Sequence, residues 1–98
     1  MAAKSLRNPK TDALFEAILS LQTNEECYEF FEDLCTMKEL SAMVQRYEVA
    51  GLLAKGRTFT AISEETGAST ATIARVNKCL QYGEGYVKAL ERGKENKK

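Results

Sequence analysis

Apolar residues recur at steps of three and four through most of the chain, which is the spacing of one face of an α-helix. Near the start, Asn8 and Pro9 signal a helix N-terminus, because Asn caps a helix well and Pro fits its first turn. The apolar residues that follow at helical spacing are Leu14, Phe15, Ile18, Leu19 and Leu21. We therefore expect a first helix over roughly residues 9–21.

Two Thr-x-x-Glu capping boxes, Thr23–Glu26 and Thr36–Glu39, mark the next two helix starts. We expect the first of these helices to end near Leu34, and the second to be the longest in the chain and to stop at Gly56. This third helix carries apolar residues away from its main stripe, namely Met37, Val49 and Leu52. It should therefore be buried on two sides, either by its own core and a second subunit or as the central helix of a monomer.

The segment Phe59–Lys78 has the pattern of a helix-turn-helix motif, two short helices joined by a tight turn. Gly67 fits the turn, because glycine adopts a left-handed backbone conformation without a steric clash. Ile62 on the first helix, and Ile73 and Val76 on the second, would form the small core that fixes the angle between the helices. Ala68, directly after the turn, lies where space is tight.

The second helix of the motif begins after Ser69, whose hydroxyl can accept a hydrogen bond from a free backbone N–H group. Its outward side chains are small or hydroxylated near the start and basic further on, which suits close approach to the major groove of DNA. We predict that the residues contacting DNA are Ser69, Thr70, Ala71, Thr72, Ala74, Arg75 and Lys78. A hairpin of this shape also occurs in proteins that bind no DNA, so a protein-interaction module is the alternative.

The 14 basic residues balance the 14 acidic ones, so net charge gives no argument for a nucleic-acid partner and mildly favours the alternative. The charges are segregated, however. Every charge from Ala13 to Thr36 is negative, whereas the only charges from Thr66 to Gly83 are Arg75 and Lys78. A neutral total can thus hide a positive face, and the lack of carboxylates there favours DNA binding.

Several classes of protein are disfavoured by what the sequence lacks. There are three cysteines but no histidine and no CxxC pair, which argues against a zinc site and against a disulfide framework. No nucleophile–base pair or phosphate-binding loop is recognisable, so we expect neither an enzyme nor a cofactor. No apolar stretch approaches the ~20 residues of a membrane span, and the N-terminus lacks the pattern of a signal peptide. We expect a cytoplasmic protein with no membrane contact.

The length of 98 residues suits one domain. We predict a flexible N-terminal arm over residues 1–8, a helical domain over residues 9–92, and a disordered basic tail over residues 93–98.

The motif resembles that of the Trp-repressor family. Residues 66–75, Thr-Gly-Ala-Ser-Thr-Ala-Thr-Ile-Ala-Arg, are similar to the family's Leu-Gly-Ala-Gly-Ile-Ala-Thr-Ile-Thr-Arg. Arg46 and the Leu-Leu-Ala-Lys-Gly ending of the third helix also match, and residues 56–67 look like the YerC/YecD branch. The resemblance covers about residues 12–91. It implies an all-α, intertwined homodimer that binds a near-palindromic operator, most often as a repressor, with its two reading helices in successive major grooves.

The resemblance also implies a site for an amino-acid effector. In the family two arginines stack on the indole ring of the corepressor, and they correspond to Arg46 and Arg75 here, a geometry that suits planar guanidinium groups. The alternative for Arg46 is a surface ion pair with Glu39 or Glu48, and the competing role for Arg75 is a direct DNA contact.

Two departures from the family bear on which effector fits. Val76 stands where Trp repressors have glycine, and Cys79 stands where they have serine near the ligand's amino group. A branched side chain in a tight slot opposes binding of an indole in the way that overpacking opposes folding. The branch has been linked to control of histidine synthesis, so histidine, tryptophan and no ligand at all stay open.

Overall fold

The computed structural model describes residues 6–95, which form six α-helices and no strand. The helices are α1 (Pro9–Leu19), α2 (Asn24–Leu34), α3 (Met37–Ala54), α4 (Phe59–Thr66), α5 (Thr70–Tyr82) and α6 (Gly85–Glu95). The predicted all-α class is therefore confirmed. None of the described helices is both long enough and apolar enough to cross a membrane.

The helix starts follow the capping residues of the sequence. The Asn8 side chain accepts from the Thr11 N–H at 2.9 Å, which fixes the start of α1. Thr36 and Glu39 form a reciprocal capping box, because each side chain accepts from the other residue's backbone N–H, at 2.8 and 3.0 Å. These bonds satisfy N–H groups that have no partner within the helix.

Two local details differ from the sequence prediction. At α2, Thr23 caps the helix as expected, but the Glu26 carboxylate accepts from the Gln22 N–H and not from that of Thr23. The first helix ends at Leu19 and not at residue 21. There the Ser20 hydroxyl donates to the Ala17 carbonyl at 2.7 Å, which gives a last carbonyl of the helix a side-chain partner.

The described residues fall into two compact parts, one up to Leu40 and one from Ser41 onward. Residues 6–40 contain no buried side chain, and Leu19 is 83% exposed. Residues 41–95 contain the entire described core, which consists of Val49, Ala50, Leu52, Ile62, Ala68, Ile73 and Val76. Partly buried side chains pack around this core, namely Leu53, Phe59, Tyr86 and Leu90.

Helix α3 is apolar on more than one side, as predicted, and the described chain buries only part of this apolar surface. Val49 and Leu52, which lie off the main apolar stripe of the sequence, are buried in the core. On the main stripe Ala50 is buried in the same core, whereas Val44 and Tyr47 are 59% and 43% exposed. The alternative of a central helix covered on all sides in one chain does not describe this arrangement.

The ends of the chain can be compared with the predicted boundaries only in part. Residues 1–5 and 96–98 lie outside the described residues, so the flexibility of the arm and the disorder of the tail stay predictions. At the other end, α6 continues through Gly93 to Glu95, beyond the expected boundary at residue 92.

Candidate DNA-binding surface

The predicted helix-turn-helix is present as α4, a three-residue turn and α5. Ile62, Ile73 and Val76 are buried in its core, and Ala68 directly after the turn is buried with them. The predicted packing of these apolar positions is therefore confirmed. Since close packing resists changes of shape, this core holds α5 at a defined angle to α4.

The turn has the conformation expected of glycine. Gly67 lies at φ 77°, in the left-handed region, and its N–H donates to the Ser63 carbonyl at 2.8 Å. Three further bonds brace the turn: the Ser63 hydroxyl donates to the Ala68 carbonyl, the Thr66 hydroxyl donates to the Ile62 carbonyl, and the Thr66 hydroxyl accepts from the Ala68 N–H. The hairpin is therefore fixed by its own side chains as well as by its core.

Ser69 is the N-cap of α5, as predicted. Its hydroxyl oxygen accepts from the Thr72 N–H at 3.1 Å, and its hydroxyl hydrogen is directed to Thr72 Oγ1 at the same distance. Ser69 and Thr72 therefore hold each other at the start of the helix. Ser69 is exposed there and Thr72 is half-buried.

The remaining predicted contact residues lie on the exposed side of α5: Thr70, Ala71, Ala74, Arg75 and Lys78 are all exposed. The opposite side of the helix carries Ile73 and Val76 and faces the core. Neither Arg75 nor Lys78 forms a salt bridge with any residue from 6 to 93, so no carboxylate in that range neutralises either cation. Their role in binding DNA stays a prediction.

Two exposed residues of this side, Gln81 and Tyr82, were not among the predicted contacts. Tyr82 is 81% exposed and lies one turn beyond Lys78. The step of four residues from Lys78 could have placed it on the same side of the helix. Because a helix rises ~1.5 Å per residue, Tyr82 lies ~18 Å along the axis from Thr70, which exceeds the ~12 Å width of a major groove. Tyr82 is therefore at the far end of the surface.

The carboxylates of the motif are confined to its first helix. On α4, Glu65 is held by Arg57, whose guanidinium lies 3.1 Å from the carboxylate, and both side chains are about half exposed. Helix α5 carries no acidic residue. The surface of α5 is therefore free of groups on its own helix that would repel phosphate.

A groove lies beside the motif, between α3, the end of α5 and α6. Its volume is about 650 Å³, and its lining is mostly apolar, formed by Tyr47, Gly51, Ala54, Lys55, Leu80, Val87, Leu90, Glu91 and Gly93. A Cβ atom at Gly51 would lie 3.8 Å from Leu90 and one at Gly93 would lie 4.0 Å from Tyr47, both ordinary van der Waals distances. Nothing within the described residues fills this apolar surface.

The sequence model of the family described as "Trp repressor protein" matches residues 9–94. The chain belongs to the Trp repressor family. It is 53% identical over 96 residues to the uncharacterized protein YerC of Bacillus subtilis (strain 168), covering 97% of this chain and 92% of that protein. The family and fold are those of helix-turn-helix DNA-binding regulators and not of enzymes.

Two crystal structures of Trp-repressor-like proteins share the fold. A TrpR-like protein from Eubacterium eligens ATCC 27750 is 50% identical with a TM-score of 0.87, and the match covers 91% of this chain and 93% of that one. A candidate Trp repressor from Staphylococcus aureus is 46% identical with a TM-score of 0.91, covering 96% and 95%. The predicted membership of the Trp-repressor-like family and its YerC branch is thereby confirmed.

The effector residues predicted for this Trp repressor family member lie on α3 and α5. Arg46 is half-buried on α3 and forms no salt bridge or side-chain hydrogen bond with any residue from 6 to 93. Its alternative partner Glu39 is engaged in the helix cap instead. Arg75 and Cys79 are exposed, whereas Val76 is only 1% exposed and fills the core. The roles of these four residues beside a ligand stay predictions.

Proposed function

We propose that this protein is a sequence-specific DNA-binding transcription regulator, a repressor that acts as a homodimer on a near-palindromic operator. The observation that carries the proposal is the exposed side of α5, which combines small and hydroxylated residues, no carboxylate and two cations without a salt bridge among residues 6–93. Because its relatives come from bacteria and the proposed target is chromosomal DNA, the proposed place of action is the cytoplasm.

The order of residues along α5 suits a helix that enters the major groove by its N-terminal end. Ala71 and Ala74 allow close approach and can contact a thymine methyl group, while Thr70 can hydrogen-bond to a base or phosphate. Arg75 is long enough to bind guanine through O6 and N7, and Lys78 is placed further along for a phosphate. The positive end of the helix dipole adds to the attraction of phosphate.

A second copy of the chain is the proposed partner of the exposed apolar surfaces. Residues 6–40 leave Phe15, Leu19 and Leu34 exposed, and the groove beside α6 is open and apolar. Patches of this kind mark interaction sites. Charge supports a second copy, because residues 1–40 carry four basic and eight acidic residues whereas residues 41–98 carry ten basic and six acidic ones. In the dimer the two α5 helices would lie ~34 Å apart, one turn of DNA.

The decisive experiment is selection of bound duplexes from a random DNA library at low salt. Enrichment of a two-fold symmetric site supports the proposal, and no enrichment contradicts it. On the enriched site, Arg75→Ala should weaken binding roughly 10- to 100-fold, since a bidentate arginine contact contributes about 1–3 kcal/mol. Arg92→Ala, which removes an exposed arginine from α6, is the matched control and should bind within about twofold of wild type.

We further propose an amino-acid effector held by Arg46 and Arg75, with Val76 and Cys79 at its border. The absence of an ion pair at either arginine within the described residues supports a free guanidinium for stacking. Thermal unfolding in the presence of each amino acid tests this, because a ligand that binds the native state raises Tm. A rise with histidine or tryptophan that is lost in Arg46→Ala but kept in Arg57→Ala supports the site, and no rise with any amino acid contradicts it.

The second candidate function is a protein-interaction module with the shape of a helix-turn-helix. Neutral net charge favours it, since sequence-independent attraction to DNA needs an excess of cations. The double variant Arg75→Ala, Lys78→Ala separates the two functions. A regulator should lose control of its target genes, whereas an interaction module should retain its cellular effect.

A further inference from the structure

We propose that Gln45 is a positioning residue of the DNA-binding surface, which sets the direction in which the helix-turn-helix leaves α3. The Gln45 Nε2 group donates to the backbone carbonyl of Thr66, 21 residues away in sequence, at 3.2 Å. Both residues are half-buried. Among residues 6–95 this is the only side-chain hydrogen bond that joins α3 to the motif. The inference rests on the proposed DNA-binding function.

The acceptor is a group that α4 cannot satisfy by itself. Thr66 is the last residue of α4, and the final carbonyls of a helix have no partner within it. The Gly67 N–H is taken by the Ser63 carbonyl, and the Thr66 hydroxyl is taken by Ile62 and Ala68. Gln45 thus gives the Thr66 carbonyl a partner from outside the motif.

The consequence for DNA binding is geometric. The core and the bonds of the turn hold α4 and α5 as one hairpin, and this hairpin packs on α3 through apolar side chains of the same core. Apolar packing has no fixed direction, so the Gln45 hydrogen bond adds the directional contact that sets the tilt of the hairpin on α3. With 13 residues, α5 is roughly 20 Å long, and a tilt of about 10° would move its far end by roughly 3 Å, close to the rise of one base pair. In a dimer, such a tilt changes the spacing of half-sites that the two α5 helices accept.

Duplexes whose half-site separation varies in steps of one base pair test this role. We expect wild type to prefer one separation strongly. Gln45→Met keeps the approximate side-chain volume but removes the donor, so it should reduce that preference roughly three- to tenfold, the effect of losing one hydrogen bond. Gln45→Lys keeps a donor and should restore the preference. Gln22→Met is the matched control, because the Gln22 side chain is exposed and forms no hydrogen bond among the described residues.

A purely stabilising role would lower affinity for every separation equally, so an unchanged preference in Gln45→Met would overturn the proposal. The proposal is also overturned if Gln45→Lys shows as little preference for one half-site separation as Gln45→Met does. If wild type binds none of the duplexes, the proposed function fails, and amide hydrogen exchange without DNA still tests Gln45. Faster exchange at the end of α4 in Gln45→Met, reversed in Gln45→Lys, supports the positioning of the hairpin, and unchanged exchange contradicts it.

Discussion

The two compact parts of this protein are equally helical but differ completely in burial. Residues 6–40 form two capped helices and the start of a third without burying one side chain, whereas residues 41–95 hold all seven buried residues. Local signals such as N-caps are as complete in the first part as in the second. Helix formation here is thus specified locally, but stability is not, since most helical stability in proteins comes from packing.

Contacts within a single chain therefore explain the stability of the helix-turn-helix, but they do not explain the stability of the N-terminal helices. The hairpin of α4 and α5 has its core, its turn and its caps within residues 41–95. The N-terminal helices have apolar side chains that no other part of the described chain buries. A second copy that covers them is the arrangement we propose, and it implies that the two parts depend on different contacts for their stability.

The largest effect should come from the core of the second part. Ile73→Ala removes a fully buried side chain, so we expect the free energy of unfolding to fall by about 3–4 kcal/mol, as measured by urea denaturation. Ile18→Ala makes the same change at a half-buried site of the first part. Its effect should be smaller and should depend on protein concentration. A loss at Ile18 that equals the loss at Ile73 and is independent of concentration would mean that the first part has a core of its own.

A charge placed on the exposed apolar surface of the first part should act on association. Leu19→Glu should weaken self-association at least about tenfold in sedimentation experiments, because covering a leucine is worth about 1.5–3 kcal/mol. Gln22→Glu introduces the same charge at an exposed polar position nearby and should change association little. Equal association of Leu19→Glu and wild type would remove the first part from the dimer interface.

The smallest effect concerns the turn of the motif. Gly67→Ala should reduce the free energy of unfolding by about 1 kcal/mol, because alanine is strained at φ 77° even though no atom lies near its added carbon. Gly85→Ala is the control, since Gly85 has an ordinary φ and open space around it, and should be neutral or slightly stabilising. If both variants behave alike in thermal unfolding, the left-handed turn is not a constraint on the hairpin.

The sequence predicted the features that depend on neighbours along the chain. Asn8, Thr23, Thr36 and Ser69 were expected to start helices and do so, and Gly67 forms the predicted turn. The buried positions of the hairpin followed from helical spacing. On α3, by contrast, spacing indicated two apolar sides but not which of them the chain buries, because that depends on which helix packs there.

Contacts between residues far apart in the sequence could not be predicted from local patterns. No local pattern pairs Gln45 with Thr66, since glutamine has no preferred partner and the acceptor is a backbone carbonyl. The alternative ion pair of Arg46 with Glu39 illustrates the same limit, because the Glu39 carboxylate accepts from the Thr36 N–H in the cap of α3. For the proposed DNA contacts of α5, the sequence identified exposed, small and basic residues, and their contact with DNA stays a prediction.

The main proposal is that DNA binds to the exposed side of α5. NMR titration of the full chain with the duplex enriched from the random library tests it most directly. We predict amide shifts concentrated between Thr70 and Lys78, shifts of the Arg75 guanidinium, and two chains bound per symmetric site. A duplex that binds while α5 stays unperturbed, with the shifts on another surface, would contradict the account.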